Sequence, residues 1–332
     1  MKHYILGTDE AGYGPNLGPL VVSCVVWEMT DDQNADGRKN HDFLEEFEQR
    51  LAPLVAETPA KLGKNGKIML VGDSKKLYTT GKLQNLCDAV LAAICLLEQK
   101  PVHWSDVFAQ LLPEDAEEFV TENTCLFEAL NDELNFTPEN YFAAANQISE
   151  AFSQIGVTLC DIKAKMISPR NFNQILDRLG NKSTLLTETT LGLVKNAIDR
   201  LTDGNITVLC DKHGGRNRYT DAIYQFFPDD GWIQVITEGT PLSVYRFNSR
   251  GRDIEFRFQS KADRHIPAAL ASMSAKLLRE LAMLAFNRFW QQRVDNLQPT
   301  AGYPVDALRF FGQIEGACKN AGIPKSDVWR EK

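Results

Sequence analysis

No stretch of this 332-residue sequence holds the roughly 18 consecutive apolar residues that a membrane-crossing helix requires. The opening residues lack the charged and apolar zones of a signal peptide, and the cytoplasm is the expected compartment. Cysteine is sparse: seven residues, at 24, 87, 95, 125, 160, 210 and 318, with no Cys-x-x-Cys. An odd number without that spacing excludes a disulfide framework and a zinc knuckle, and the apolar runs around most of the cysteines (LVVSCVVW, LAAICLL) point to reduced, buried thiols. Internal repeats and low-complexity tracts are missing as well. Positive charge is in short supply, the net charge being −8, so the surface as a whole does not bind polyanions indiscriminately.

What is present is the composition of a globular protein, 43% hydrophobic and 24% charged, on a chain long enough for one large domain or two ordinary ones. Basic residues are concentrated locally. Residues 245–264 carry Arg246, Arg250, Arg252, Arg257, Lys261 and Arg264 against three acids, and Lys212, Arg216 and Arg218 lie just upstream. Strand patterns occur at 3–9, 19–28, 156–167 and 205–211. Three more follow in WIQVITEG, SVYRF and DIEFRFQ. Helical spacing marks 80–98, 184–201 and a long helix from about 264 to 291, whose second face is small: Ala268, Ala271, Ser272 and Ala275. DDQNADGRKN reads as an exposed loop, FLEEFEQRLAPL as a short helix, and 100–154 as a largely helical, acidic insertion. The expectation is one α/β domain over 1–332, a central mixed β-sheet flanked by helices, with a helical C-terminal part.

Acids stand at the ends of these elements. Asp9 and Glu10 close the first strand in GTDEAGYGP, Asp211 ends NITVLCD, and Asp263 opens the long helix. Each has a plain reading: a Gly-rich turn, a first loop residue, a helix N-cap. Their joint reading is a site for hard divalent cations, which take carboxylate oxygens and assist phosphodiester hydrolysis. Adjacent strand residues point to opposite faces, so Asp9 and Glu10 could share that site only if the backbone twists there. A pair of carboxylates working without metal, as in glycosidases, explains two acids but leaves the others and the basic stretches without a use.

GTDEAGYGPNLGPLVVSCVV resembles the opening of ribonuclease HII, VGDSKKL at 71–77 resembles that family's Asp-Ser-Lys-Lys-Leu signature, and KADRHIPAALASMSAKLLRE at 261–280 resembles its Asp-containing segment leading into a small-residue helix. VLCD at 208–211 and AGYP at 301–304 fit the family's third acid and its Gly-Tyr-Pro, all in family order. The resemblance implies a ribonuclease H-like fold and an endonuclease that cleaves the RNA strand of RNA–DNA hybrids, or ribonucleotides embedded in duplex DNA, with Mg2+ or Mn2+, two ions in all. It implies Asp9, Glu10, Asp211 and Asp263 as catalytic metal ligands. Gly12, Tyr13 and Gly14 would lie against the sugar-phosphate, Tyr303 against the ribose, and Lys75 and Lys76 on phosphates, with Lys212 and Arg216 adding to the nucleic-acid contacts.

The chain departs from the family at two places. The family's Gly-Arg-Gly turn is Gly12-Tyr13-Gly14 here, which removes a cation beside the scissile phosphate. The usual Asp-Gly-Asn is replaced by Asp211-Lys212-His213-Gly214-Gly215, in which His213 reads as an exposed loop histidine, or else a proton shuttle. His265 reads as lining the site or as a capping residue. These departures keep two alternatives open, a nuclease for another nucleic-acid structure and a non-catalytic nucleic-acid-binding module.

Overall fold

A sheet of seven strands divides the molecule, and its order follows from which segments are buried on both faces. The structure, a computed structural model, describes residues 2–30, 42–81, 83–101, 103–113 and 138–331. Strand β1 (Lys2–Ala11) pairs antiparallel with β2 (Leu20–Thr30), which pairs antiparallel with β5 (Val157–Ile167). On its other edge β1 runs parallel to β6 (Asn205–Asp211), and β6 parallel to β9 (Arg252–Gln259). β8 (Leu242–Ser249) and β7 (Gln234–Thr237) complete the sheet antiparallel, giving the order β5-β2-β1-β6-β9-β8-β7. A separate two-residue parallel pair, β3 (Val55–Ala56) and β4 (Met69–Leu70), had no visible pattern in the sequence. The architecture is the expected α/β one, a mixed sheet flanked by helices.

The side-chain period of two assigns β1 to two cores. Ile5 joins the cluster under the long helix, whereas Tyr4 and Leu6 face the opposite layer. The first layer holds α1 (Phe43–Leu51), α2 (Ser74–Gly81), α3 (Leu83–Leu96), α4 (Trp104–Leu111), α5 (Pro138–Gln154) and the long α9 (Ile266–Gln291). The second holds α6 (Pro169–Leu179), α7 (Lys182–Arg200) and α8 (Thr220–Phe226). Helix α10 (Pro304–Asn320) closes a smaller core with Leu17, Trp290, Phe310 and Ile314.

The small face of α9 has a definite use. A β-carbon placed on Gly7 of β1 would lie 2.1 Å from the Pro267 carbonyl carbon and 2.4 Å from the Ala268 nitrogen. Helix and strand therefore touch backbone to backbone at that point, which brings the start of α9 over the end of β1.

Several boundaries differ from expectation. The helix read at 80–98 is α3, and a further helix not expected from the sequence, α2, precedes it, starting at the Asp-Ser-Lys-Lys motif because Asp73 accepts from the amides of Lys75 (3.0 Å) and Lys76 (3.1 Å). Asp263 does not cap the long helix: it lies in a 3-10 turn, Ala262–Arg264, and α9 begins at Ile266, whose amide donates to Glu48 Oε1 of α1 at 2.7 Å. A carboxylate remote in sequence took the capping role. Of the insertion read at 100–154, the described ends are core: Trp104, Phe108, Ile148 and Phe152 are buried with the α9 layer. The loop read at DDQNADGRKN and the middle of that insertion fall outside the described residues.

Candidate active site

β1, β6 and β9 run parallel, so their C-terminal ends lie side by side on one edge, where open α/β sheets place their ligands. Asp9 and Glu10 occupy the end of β1. The parallel ladder to β6 stops at Thr8 and Cys210, so both acids overhang it. Asp211 is the last residue of β6, and its Oδ1 accepts from the Ala262 amide at 3.3 Å, which ties down the turn that carries Asp263. One acid thus positions the segment that presents another. The expected twist at Asp9 and Glu10 is not a break in pairing, because β1 stays in register with β2 through Ala11.

All four acids are half-buried, and their electrostatics couple them. Surrounding protein is the main reason that the Asp9 carboxyl is pushed up to about 7; hydrogen bonds from the Ser272 hydroxyl and the Glu10 amide act the other way, and the charges of Asp211 and Asp263 add to the rise. Glu10 is held well above the usual carboxylate range, by burial first and then by Asp9 and Asp211, with the Lys75 ammonium offsetting part of it. Asp211 is raised by burial, lowered by the Ala262 and Lys212 amides, and raised again by Asp263. Each acid lies in the field of at least one other. Among the described residues, however, no three His, Cys, Asp or Glu side chains are drawn close enough together to hold a metal ion as they stand. The four share a field, not a coordination sphere. In kind the donor set fits a hard divalent cation, being all carboxylate oxygen with no thiolate or imidazole among it.

The Asp-Ser-Lys-Lys motif reaches this site through α9. Ser74 is buried, and its hydroxyl lies 3.0 Å from that of Ser272, the residue that hydrogen-bonds Asp9. Lys75 and Lys76 follow on the exposed start of α2, Lys76 Nζ standing 3.7 Å from Asp73. Sequence reasoning missed Ser272, although its place on the small face of α9 marked it as near the sheet.

The turn after β1 lies beside the acids. Gly12 has φ +89°, and a β-carbon there would meet Pro19 O at 2.5 Å and Arg279 Nε at 2.6 Å, so no other residue fits. Tyr13 stays within the field of Glu10, whose charge adds to the rise that burial gives its phenol. Its hydroxyl lies 2.8 Å from the position a Gly214 β-carbon would take, and Lys182 Nζ stands 5.4 Å from its ring centre. Gly14 is exposed, with the Tyr303 ring 3.9 Å from its own β-carbon position, and Tyr303 is 58% exposed.

Two expectations for the loop after Asp211 need correction. Lys212 is not offered to a phosphate: its ammonium donates to Gly239 O (2.6 Å), Ser243 Oγ (2.8 Å) and Asn217 Oδ1 (3.0 Å), which uses all three donors. His213 is not an exposed loop histidine but 2% exposed, its Nδ1 3.0 Å from Thr187 Oγ1 and its ring edge-on to Tyr219 and Phe258. Burial, then the Arg216 charge, pushes it down to about 3, so it is neutral and no proton shuttle at ordinary pH. Arg216 is half-buried and donates to Thr184 Oγ1 at 3.2 Å. His265 neighbours Glu48 (3.5 Å) and Gln259 (3.3 Å), beside the helix start.

No family model matches this chain, and no curated protein matches it. Solved structures similar to it are ribonucleases HII and HIII. Ribonuclease HII of Archaeoglobus fulgidus, in its complex with PCNA, is 14% identical over 99% of this chain and 94% of that one, with a TM-score of 0.40. Ribonuclease H2 from Pyrococcus horikoshii is 17% identical over 99% and 92%, with a TM-score of 0.42. Bst-RNase HIII in complex with Mn2+ is 14% identical over 98% of this chain and 65% of its own, with a TM-score of 0.36. The likeness spans nearly the whole chain at low identity and with a loose superposition.

Proposed function

We propose that this protein is a divalent-metal-dependent endonuclease that cleaves the RNA strand of RNA–DNA hybrids, or ribonucleotides embedded in duplex DNA, leaving 3′-hydroxyl and 5′-phosphate ends. What supports this reading is the field the acids share beyond burial: Asp9 and Asp211 raise Glu10, Asp211 and Asp263 raise Asp9, and Asp263, in the turn after β9, raises Asp211. The family motifs in the sequence supply the substrate class. Asp9, Glu10, Asp211 and Asp263 would hold one or two Mg2+ or Mn2+ ions, which when bound polarise a phosphoryl oxygen and acidify the attacking water.

The chain's own residues do the rest. The Ser272 hydroxyl, backed by Ser74 at 3.0 Å, lies by Asp9 and favours its charged form. The exposed ammonium groups of Lys75 and Lys76 present point charges to phosphates approaching over α2. The Gly12–Gly14 backbone and the Tyr303 ring form a narrow face against which a ribose can pack, and the 2′-hydroxyl is the group by which such a face separates RNA from DNA. The test is cleavage of a duplex containing one ribonucleotide, with and without Mg2+ or Mn2+, by the parent and by Asp9→Asn. Metal-dependent cleavage lost in the variant is expected; cleavage retained in a folded Asp9→Asn protein refutes the reading.

A second reading keeps the reaction and changes the substrate. It is favoured by Tyr13, which occupies the place of the family's arginine and turns its hydroxyl toward Gly214. Comparing all-DNA, all-RNA, hybrid and single-ribonucleotide duplexes separates the two, and a preference for duplexes without ribose selects the second.

A further inference from the structure

The segment after α10 returns to the turn that follows β1. Arg330 is 1% exposed, and one of its guanidinium nitrogens, Nη2, donates both to Gly12 O at 2.6 Å and to Pro15 O, the carbonyls at either end of that turn. The backbone is fastened too: the Arg330 amide donates to Asn16 O at 2.7 Å, Asn16 Nδ2 donates to Arg330 O at 3.0 Å, and Leu17 bridges Trp329 antiparallel. Below, Arg279, 4% exposed, passes its side chain under Gly12 and donates to Ala301 O at 2.8 Å, next to Gly302 and Tyr303.

This arrangement is poor in stabilising contacts for what it buries. Among the described residues, Arg330 Nε and Nη1 and Arg279 Nε have no hydrogen-bond partner and no carboxylate pairs with Arg330, which lies over the Phe172 ring at 4.8 Å. Burial, and then the Arg279 charge, pushes Arg330 down to about 9. Arg279 has Glu280 at 3.6 Å to offset its burial, but a guanidinium held as Arg330 is held costs stability, and apolar residues of similar volume often fill such places without loss. The position of the two arginines is better accounted for by what they hold: Arg330 the backbone of residues 12–15, and Arg279 the Ala301 carbonyl beside Gly302 and Tyr303.

We propose that Arg330 is a positioning residue: it braces the Gly12–Pro15 turn from behind, so that the face made by the Gly12–Gly14 backbone and the Tyr303 ring keeps the shape that recognises a ribonucleotide. The turn has lost the arginine its family carries, and the basic groups beneath it come from α9 and from the segment after α10. The inference rests on the nuclease reading for its substrate but not for its geometry.

The experiment uses the full chain with Arg330→Met, and Arg330→Lys as a conservative variant that can still reach one carbonyl. Amide hydrogen exchange is followed over residues 12–17 and over β1 and β6, and KM and kcat are measured on a single-ribonucleotide duplex. Exchange in the turn is expected to quicken about tenfold in Arg330→Met with β1 and β6 unchanged. KM is expected to rise about tenfold while kcat stays within about threefold, and Arg330→Lys restores part of both. Partial unfolding would lower the apparent kcat and leave KM alone, so the split separates positioning from general destabilisation. Unchanged exchange over 12–17 in a folded Arg330→Met protein overturns the proposal. If Arg330→Met does not fold, Arg330→Lys carries the test, and parent-like exchange and KM there overturn it equally. A parent protein that cleaves no substrate sinks the nuclease reading, and the exchange measurement still decides whether Arg330 braces the turn.

Discussion

The end of β1 and the loop after β6 lie side by side and handle buried charge in opposite ways. At the end of β1, Asp9 and Glu10 sit among other acids, with carboxyls raised by burial and by one another. Immediately past the end of β6, Lys212 has a partner for every donor, and His213 is neutral within an aromatic nest of Tyr219 and Phe258. The first region concentrates repulsion that a proton or a bound cation relieves; in the second, Lys212 and His213 are already satisfied within the fold. Loss of a group should therefore cost activity in the one and stability in the other.

The largest effect expected is at Asp9. Asp9→Asn should lower cleavage by about a thousandfold or more, as removal of a metal-holding or charge-stabilising group does. It should leave the unfolding midpoint equal or higher, because one of the repelling charges is gone; a marked fall in that midpoint would erase the contrast between the two regions. Gly7→Ala comes next. The β-carbon has no room against Pro267, and a cost of about 3 kcal/mol or more is expected from denaturant unfolding, as for overpacked cores. Lys212→Met should cost about 2 kcal/mol by leaving the Gly239 carbonyl and its neighbours without a donor, while kcat on a folded sample stays within about threefold. If Lys212→Met instead raised KM strongly with stability intact, Lys212 would belong to the nucleic-acid surface after all.

The smallest effect is one of pH. His213 is depressed to about 3 in the folded protein and titrates near 6.5 when unfolded. The unfolded chain binds the extra proton, so the stability His213 contributes is complete above 6.5 and is lost as pH falls toward 3. Between pH 7 and 5 the loss is about 2 kcal/mol. His213→Gln should flatten that part of the pH profile, and an unchanged slope would show that His213 is not the group responsible.

Much of the fold was legible because its signals are local. β2 and β6 are runs rich in β-branched residues, β1 is a short apolar run that ends at a glycine turn, and α9 carries its apolar stripe and small face in one continuous segment. The positions of Asp9, Glu10 and Asp211 at strand ends were legible because those runs have clear ends. What escaped depends on partners far away in sequence. Asp263 looked like a helix cap, yet Glu48 supplies the cap from 218 residues away. His213 looked exposed because its glycine-rich neighbours suggest a surface loop, and only the fold brings Thr187 and Phe258 around it. Arg330 carried no signal at all, since one arginine near the end of a sequence gives no hint of a carbonyl 318 residues earlier.

The most direct measurement is divalent-ion binding by the full chain, read as the rise in unfolding midpoint on adding Mn2+ to the parent and to single Asn or Gln variants at 9, 10, 211 and 263. An ion held by the folded state alone raises stability with concentration. The parent should gain several degrees at saturating Mn2+, and each of the four variants should lose most of that gain. A variant at any one of the four positions that keeps the full Mn2+ response would mean that the acids do not form one site.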